Sequence, residues 1–219
     1  MSTKTRNLVF TAVLAALTTA FTLISIPLAT GYFNFGDLVI FIASVMLGPL
    51  YGAIVGAIGG ALGDLILSYF FYAPFTLVIK ALEGFIVGLL YKAVSKFCKN
   101  NKSNILEMVF TLLINLLAGC VMALGYFLAE GVLLSEDHWV GGIANLPFNI
   151  LQGVISAGVA VVLLYPCQLI KVFNKYFYKN SLSVEKQISN SENNTNETST
   201  DDHSKQAEHE ENNQERTNL

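Results

Sequence analysis

Lys80 and Glu83 are the residues from which chemistry can be argued first. They lie three positions apart in the apolar run YAPFTLVIKALEG, Tyr72 to Gly84. On a helix that spacing puts both side chains on one face, a turn apart. An ionisable pair inside a membrane span is expensive, and its default reading is a functional site. Pro74 suits the first turn of the helix that carries them, where a missing N–H costs nothing. Catalytic chemistry finds no comparable support. Cys98, Cys120 and Cys167 form no Cys-x-x-Cys pair, and His138, His203 and His209 have no zinc-like spacing. There is no phosphate-binding G-x-x-x-x-G-K-[ST] loop and no nucleophile–base set, so no enzyme activity, metal or cofactor is expected. Basic residues are few and flank the apolar runs, which leaves no nucleic-acid footprint.

Composition sets the frame for that pair. The chain has 219 residues, 53% of them hydrophobic and 13% charged. From residue 185 onward nine acids face three bases, whereas the preceding part has ten bases and seven acids. The low isoelectric point therefore belongs to the tail. Residues 179–219, rich in Asn, Ser, Thr, Gln and Glu, are expected to be a disordered cytoplasmic tail, because they carry too little apolar surface to offset ordering entropy. Residues 1–178 are expected to form the membrane domain.

Six spans are expected in that domain: about Leu8–Ala29, a short one at Asp37–Leu47, Leu50–Phe71, Phe75–Val94, Leu106–Glu130, and Asn145–Ile170 with Pro147 near its start. The first run is longer than a signal-peptide core and is read as retained. Lys4 and Arg6, then Lys92, Lys96, Lys99 and Lys102, then Lys171, Lys175 and Lys179 fall on one side of a six-span layout. The segments near 30–36, 71–74 and 131–144 carry no Lys or Arg. The positive-inside rule then makes both termini cytoplasmic. The expected fold class is an all-α membrane bundle of six transmembrane helices, with the lipid bilayer as its surroundings.

The polar residues gather toward the other side. At about 1.5 Å per residue, Lys80 and Glu83 lie roughly 9 and 13 Å below Pro74, and Asp64 lies roughly 21 Å above Leu50. Asn149 and Gln152 follow Pro147 closely, and Asn145 precedes it. Asn34 and Asp37 close the first hairpin, where they also suit a turn and a helix cap. Tyr69 and Tyr72 close the next. The inner half has almost no ionisable group, so the pattern suits a pocket open on one side better than a through-going ion path. Amides, a charge pair and aromatic rings suit a small, polar, ring-shaped ligand. Asn115, in mid-fifth span, is expected to be interhelical glue. Glu136, Asp137, His138 and Trp139 are read as a solvated loop with an interface anchor or lid residue. Ala12, Ala16 and Ala20 repeat every four residues, as do Gly52, Gly56 and Gly60, with Gly59 and Gly63 offset. Such rows let helices approach closely. The glycines are expected to serve internal packing; the alanines suit packing or a partner.

Taken together, Asn34-Phe-Gly-Asp37, Leu47-Gly-Pro-Leu-Tyr-Gly52, Gly63-Asp64, the Tyr72–Gly84 run and Asn145-Leu-Pro-Phe-Asn-Ile-Leu-Gln152 resemble the substrate-binding S components of energy-coupling factor (ECF) vitamin transporters, in the riboflavin/pyridoxine-type subgroup. The likeness covers most of residues 8–172. It implies a bundle that captures a vitamin or precursor of the riboflavin, pyridoxine or hydroxymethylpyrimidine class from outside. A transmembrane coupling subunit and two ATPase subunits would drive its release. Asn34, Asp64, Tyr72, Phe75, Lys80, Glu83, Asn145, Asn149 and Gln152 are the expected ligand contacts, with Lys80 on an oxygen and Glu83 on a donor. Ala12, Ala16 and Ala20 match the Ala-x-x-x-Ala surface that this family turns to the coupling subunit. The competing expectation is a stand-alone proton-coupled secondary transporter that uses Asp64 or Glu83 as carrier.

Overall fold

The computed structural model describes residues 3–27, 32–101, 104–134 and 139–175. Residues 1–170 form one compact unit; of the second, 171–219, only residues 171–175 are described. The expected tail and the Glu136-Asp137-His138 loop lie outside the described residues.

The chain is an all-α membrane bundle. Its helices are α1 (Thr3–Leu23), α2 (Gly36–Leu47), α3 (Pro49–Ile66), α4 (Ala73–Asn101), α5 (Asn104–Leu128), α6 (Val140–Leu164) and α7 (Leu169–Asn174). A π-helical turn, Ala129–Leu134, continues α5. Among the described residues five helices, α1 and α3 to α6, are long and apolar enough to cross a membrane. Large apolar side chains such as Leu8, Leu62, Leu89, Leu113 and Val162 stand exposed around them, as a lipid-facing surface requires.

The short α2 is the centre. Ten of its 12 residues are buried, and it packs on α1, α3, α4 and α6. A helix apolar all round is stable only when wrapped on all sides. Its Phe41 and Leu38 join Val87 of α4, Ala118 of α5 and Ala157 and Leu164 of α6 in the main core.

Small residues set the helix spacings. A Cβ on Gly59 would sit 2.5 Å from Thr18 Cβ, so α3 lies almost in contact with α1 there. Thr19 Oγ1 also donates to the Gly59 carbonyl at 3.0 Å. Gly119 and Gly153 face each other where α5 crosses α6, each Cβ position 3.0 Å from the other's Cα. The glycine rows thus serve internal packing, as expected.

Several boundaries differ from the sequence reading. The first helix stops at Leu23, and Ser25–Pro27 pairs antiparallel with Tyr32–Asn34 as a small β-ribbon, strands β1 and β2. Its β-branched and aromatic residues, with Pro27 at the strand end, suit a ribbon better than a longer span. The third helix ends at Ile66, well before Phe71. The sixth begins at Val140, so Pro147 lies inside it rather than near its start. Gly141, Gly142 and Asn145 face inward against neighbouring elements, and that packing outweighs the hydrogen bond Pro147 cannot make.

Candidate functional site

The site is built where one set of helix ends meets. Asp37 stands in the first turn of α2, Asp64 in the last turns of α3, Thr76 and Lys80 in the first turns of α4, Tyr126 near the end of α5, and Asn145, Asn149 and Gln152 in the first half of α6. The β-ribbon brings Tyr32 and Asn34 over the same end.

At its base is a sealed charge cluster. Lys80 is 3% exposed, Asp37 and Glu83 0%. The Lys80 ammonium donates to Asp37 Oδ1 and lies 3.1 Å from Glu83 Oε2. Asp37 is not a helix cap; Phe35 holds that position, without a side-chain bond. Its other oxygen, Oδ2, accepts from Gln152 Nε2 at 2.8 Å. Gln152 Oε1 in turn accepts the Asn34 backbone N–H at 2.8 Å, and Asn34 Oδ1 accepts from the Gly36 N–H at 2.8 Å. One chain of bonds therefore runs from the ribbon through α6 and α2 to α4.

Above the cluster lies a pocket of about 390 Å³, counting the space at its open mouth. Tyr32, Asn34, Asp64, Tyr72, Tyr126, Glu130, Asn145, Asn149 and Gln152 line it. The Tyr32 hydroxyl donates to Asp64 Oδ1. Asn145 Nδ2 reaches both Glu130 oxygens, at 3.1 and 3.2 Å. The Tyr126 hydroxyl donates to Thr76 Oγ1 at 2.9 Å, and its ring lies 5.7 Å from the Lys80 ammonium. Burial, then the neighbouring Asp64 carboxylate, pushes the Tyr32 phenol well above its ordinary range. Burial and Glu130 do the same for Tyr72. Both phenols are therefore neutral hydrogen-bond donors at physiological pH. The rings cluster, with Tyr32 and Tyr69 centroids 5.0 Å apart and Tyr69 and Tyr72 5.8 Å apart.

Of the nine residues expected to contact a ligand, Asn34, Asp64, Tyr72, Asn145, Asn149 and Gln152 line the pocket. Phe75 instead packs against the small core of Ile79, Met122 and Ala129. Lys80 and Glu83 are beneath the pocket, their charges turned on Asp37 and each other. Tyr32, Tyr126 and Glu130 line the pocket but were not expected there.

A family model described as "ECF-type riboflavin transporter, S component" matches residues 2–169. The chain belongs to this family. As an ECF S component it is the substrate-capture subunit of a vitamin-type transporter, a multi-pass membrane protein and not an enzyme. A protein of Pyrococcus woesei, named "Uncharacterized protein in gap 3′ region", is 37% identical over 142 residues, covering 65% of this chain and 88% of the relative.

Three further features of this S component bear on its packing and partners. On α1, Thr11, Ala15, Thr18, Thr19 and Thr22 are buried, while Ala12, Ala16 and Ala20 are all exposed. The alanine row thus points away from the bundle. Asn115, expected as interhelical glue, is fully buried, yet neither amide atom has a hydrogen-bond partner; the same holds for Ser156 Oγ. Trp139 caps α6 in a left-handed conformation, φ 75°, with its ring 5.2 Å from that of Phe127.

Proposed function

We propose that this S component captures a water-soluble vitamin or precursor in the tyrosine- and amide-lined pocket, from outside the cell. The carrying observation is the pocket's position: aromatic faces and amides stand over a charge cluster in which the Lys80 ammonium already serves Asp37 and Glu83. A ring can lie against Tyr72 or Tyr126 while Asn145, Asn149 and Gln152 read its polar edge. Riboflavin is the first candidate because the family carries its name; pyridoxine and hydroxymethylpyrimidine are the others. In this reading Lys80 and Glu83 hold the floor, and their effect on the ligand passes through Asp37 and Gln152.

In this reading the chain crosses the membrane six times, with α2 as the short crossing, both termini are cytoplasmic and the pocket faces outward. Support comes from the flanking bases: Lys4 and Arg6 begin α1 and Lys92 and Lys96 end α4, at the helix ends remote from the pocket. Ala12, Ala16 and Ala20 form the docking face for the transmembrane coupling subunit, which two ATPase subunits would drive. The setting is a bacterial cell membrane.

Against a stand-alone proton carrier stands the gap below Glu83. Among the described residues no Asp, Glu, Lys or Arg lies between the pocket end and the opposite helix ends marked by Arg6, Lys92 and Glu107. The test is uptake of labelled vitamin by cells with and without an ECF module. Uptake only with the module supports capture for an ECF partner. Uptake without it, abolished by an uncoupler, would replace this reading with the proton carrier.

A further inference from the structure

Asn115 and Ser156 break a rule that the rest of the bundle interior keeps. Both are 0% exposed, and Asn115 Oδ1, Asn115 Nδ2 and Ser156 Oγ have no hydrogen-bond partner. A hydroxyl buried on a helix can donate to the carbonyl four residues back. Thr11, Thr18, Thr22, Ser44 and Thr111 all do so here. Ser156 Oγ does not. An amide and a hydroxyl sealed in a membrane protein lose their hydration, and lipid offers them no replacement bond.

The two residues stand at one level. Tyr126 near the end of α5 and Asn145 near the start of α6 both line the pocket, so the two helices run antiparallel. They cross where Gly119 and Gly153 face each other. Asn115 comes four residues before Gly119, and Ser156 three after Gly153. Both therefore lie about one turn past the crossing, on the side away from the pocket. The residues around that crossing are small: Ala118 and Ala157, each fully buried, stand beside the two glycines. Side chains this short leave room next to a polar pair.

We infer that Asn115 and Ser156 hold ordered water between α5 and α6, in a closed internal site below the Gly119–Gly153 crossing. The donor set fits water. The amide offers both a donor and an acceptor, and the hydroxyl can act as either, which gives a buried water the two or more polar partners it needs. A bound cation calls for several oxygens, commonly with a carboxylate among them, and one amide oxygen with one hydroxyl does not supply that. A larger ligand would need a way in, and both side chains are sealed. Such a bridge is nearly as good as a direct hydrogen bond. It clamps α5, which carries Tyr126, to α6, which carries Asn145, Asn149 and Gln152, and so fixes two walls of the pocket from beneath. The inference stands whatever the pocket binds.

The experiment joins a high-resolution crystal structure of the full-length protein to melting of Asn115→Leu, Ser156→Ala and the double variant in detergent. Density for water within hydrogen-bond distance of both side chains is expected. Each single variant is expected to melt at least about 3 °C lower. The double variant should lose less than the sum of the two, because both changes empty one shared site. A direct Asn115–Ser156 bond with no water between them overturns the inference, and so does a crystal structure without water at this site. A single variant that melts at or above the unaltered protein overturns it too, since that is the result of removing an unpaired polar group from an apolar core. Where a variant does not fold, the structure of the unaltered protein decides.

Discussion

Gln152 Nε2 donates to Asp37 Oδ2 at 2.8 Å, and this bond couples the pocket to the charges beneath it. Gln152 is on the pocket wall; Asp37 is not, but it holds Lys80. The amide is used at both ends, because its Oε1 takes the Asn34 N–H. A ligand contacting Gln152 therefore touches a group already fixed by α2 and by the ribbon. That is preorganisation: the polar edge is in place before the ligand arrives.

Gln152→Leu keeps the volume but leaves Asp37 Oδ2 and the Asn34 N–H unpaired. The expected loss of stability is about 1–3 kcal/mol. Ligand affinity should fall by about tenfold or more if the ligand uses this amide. Thermal melting in detergent, with and without ligand, reads both. Unchanged melting would show that the bond to Asp37 contributes nothing.

Lys80→Ala leaves two buried carboxylates facing each other. Removing one member of a buried charge cluster costs about 3–5 kcal/mol. The combined Asp37→Asn/Lys80→Met variant removes a charge of each sign and should be the more stable of the two. The comparison is again by melting. If Lys80→Ala melts like the unaltered protein, the ammonium is not what neutralises the floor.

Gly59→Leu places a side chain where Thr18 already sits. Overpacking of this kind costs about 1–3 kcal/mol and pushes α1 away from α3. A cysteine cross-linking yield between α1 and α3 should drop in step with the melting temperature. An unaffected yield would mean that the close contact is not needed to hold α1.

Ala16→Leu changes only the exposed face of α1. Melting and vitamin binding should be unaltered, whereas co-purification with a coupling subunit should be lost. Intact assembly would remove the alanine row from the partner surface.

Much of this was legible from residue types. Apolar length gave the helices, and the one-sided placement of Asp64, Lys80, Asn149 and Gln152 gave the end of the bundle that holds the pocket. The rest has physical causes. Helical spacing pairs Lys80 with Glu83, but Asp37, which also accepts from Lys80, lies on another helix, and periodicity is blind to contacts between elements. Glu130 reads as the limit of a span, yet its spacing of four from Tyr126 is a signal available in the sequence. Tyr32 could not be placed without the ribbon, whose strands have only three residues each. Pro147 reads as a helix start by propensity alone, which carries no trace of the packing of Gly141, Gly142 and Asn145.

The central claim is that this pocket binds a vitamin without help from ATP or any other chain. The direct measurement is calorimetric titration of the purified, detergent-solubilised protein with riboflavin, pyridoxine and hydroxymethylpyrimidine, in parallel with an Asn149→Leu/Tyr126→Leu variant shown by melting to be folded. One of the three should bind with a single-site isotherm, and the variant should lose it by about tenfold or more. Absence of binding by all three, or an isotherm unchanged in the variant, would contradict the account.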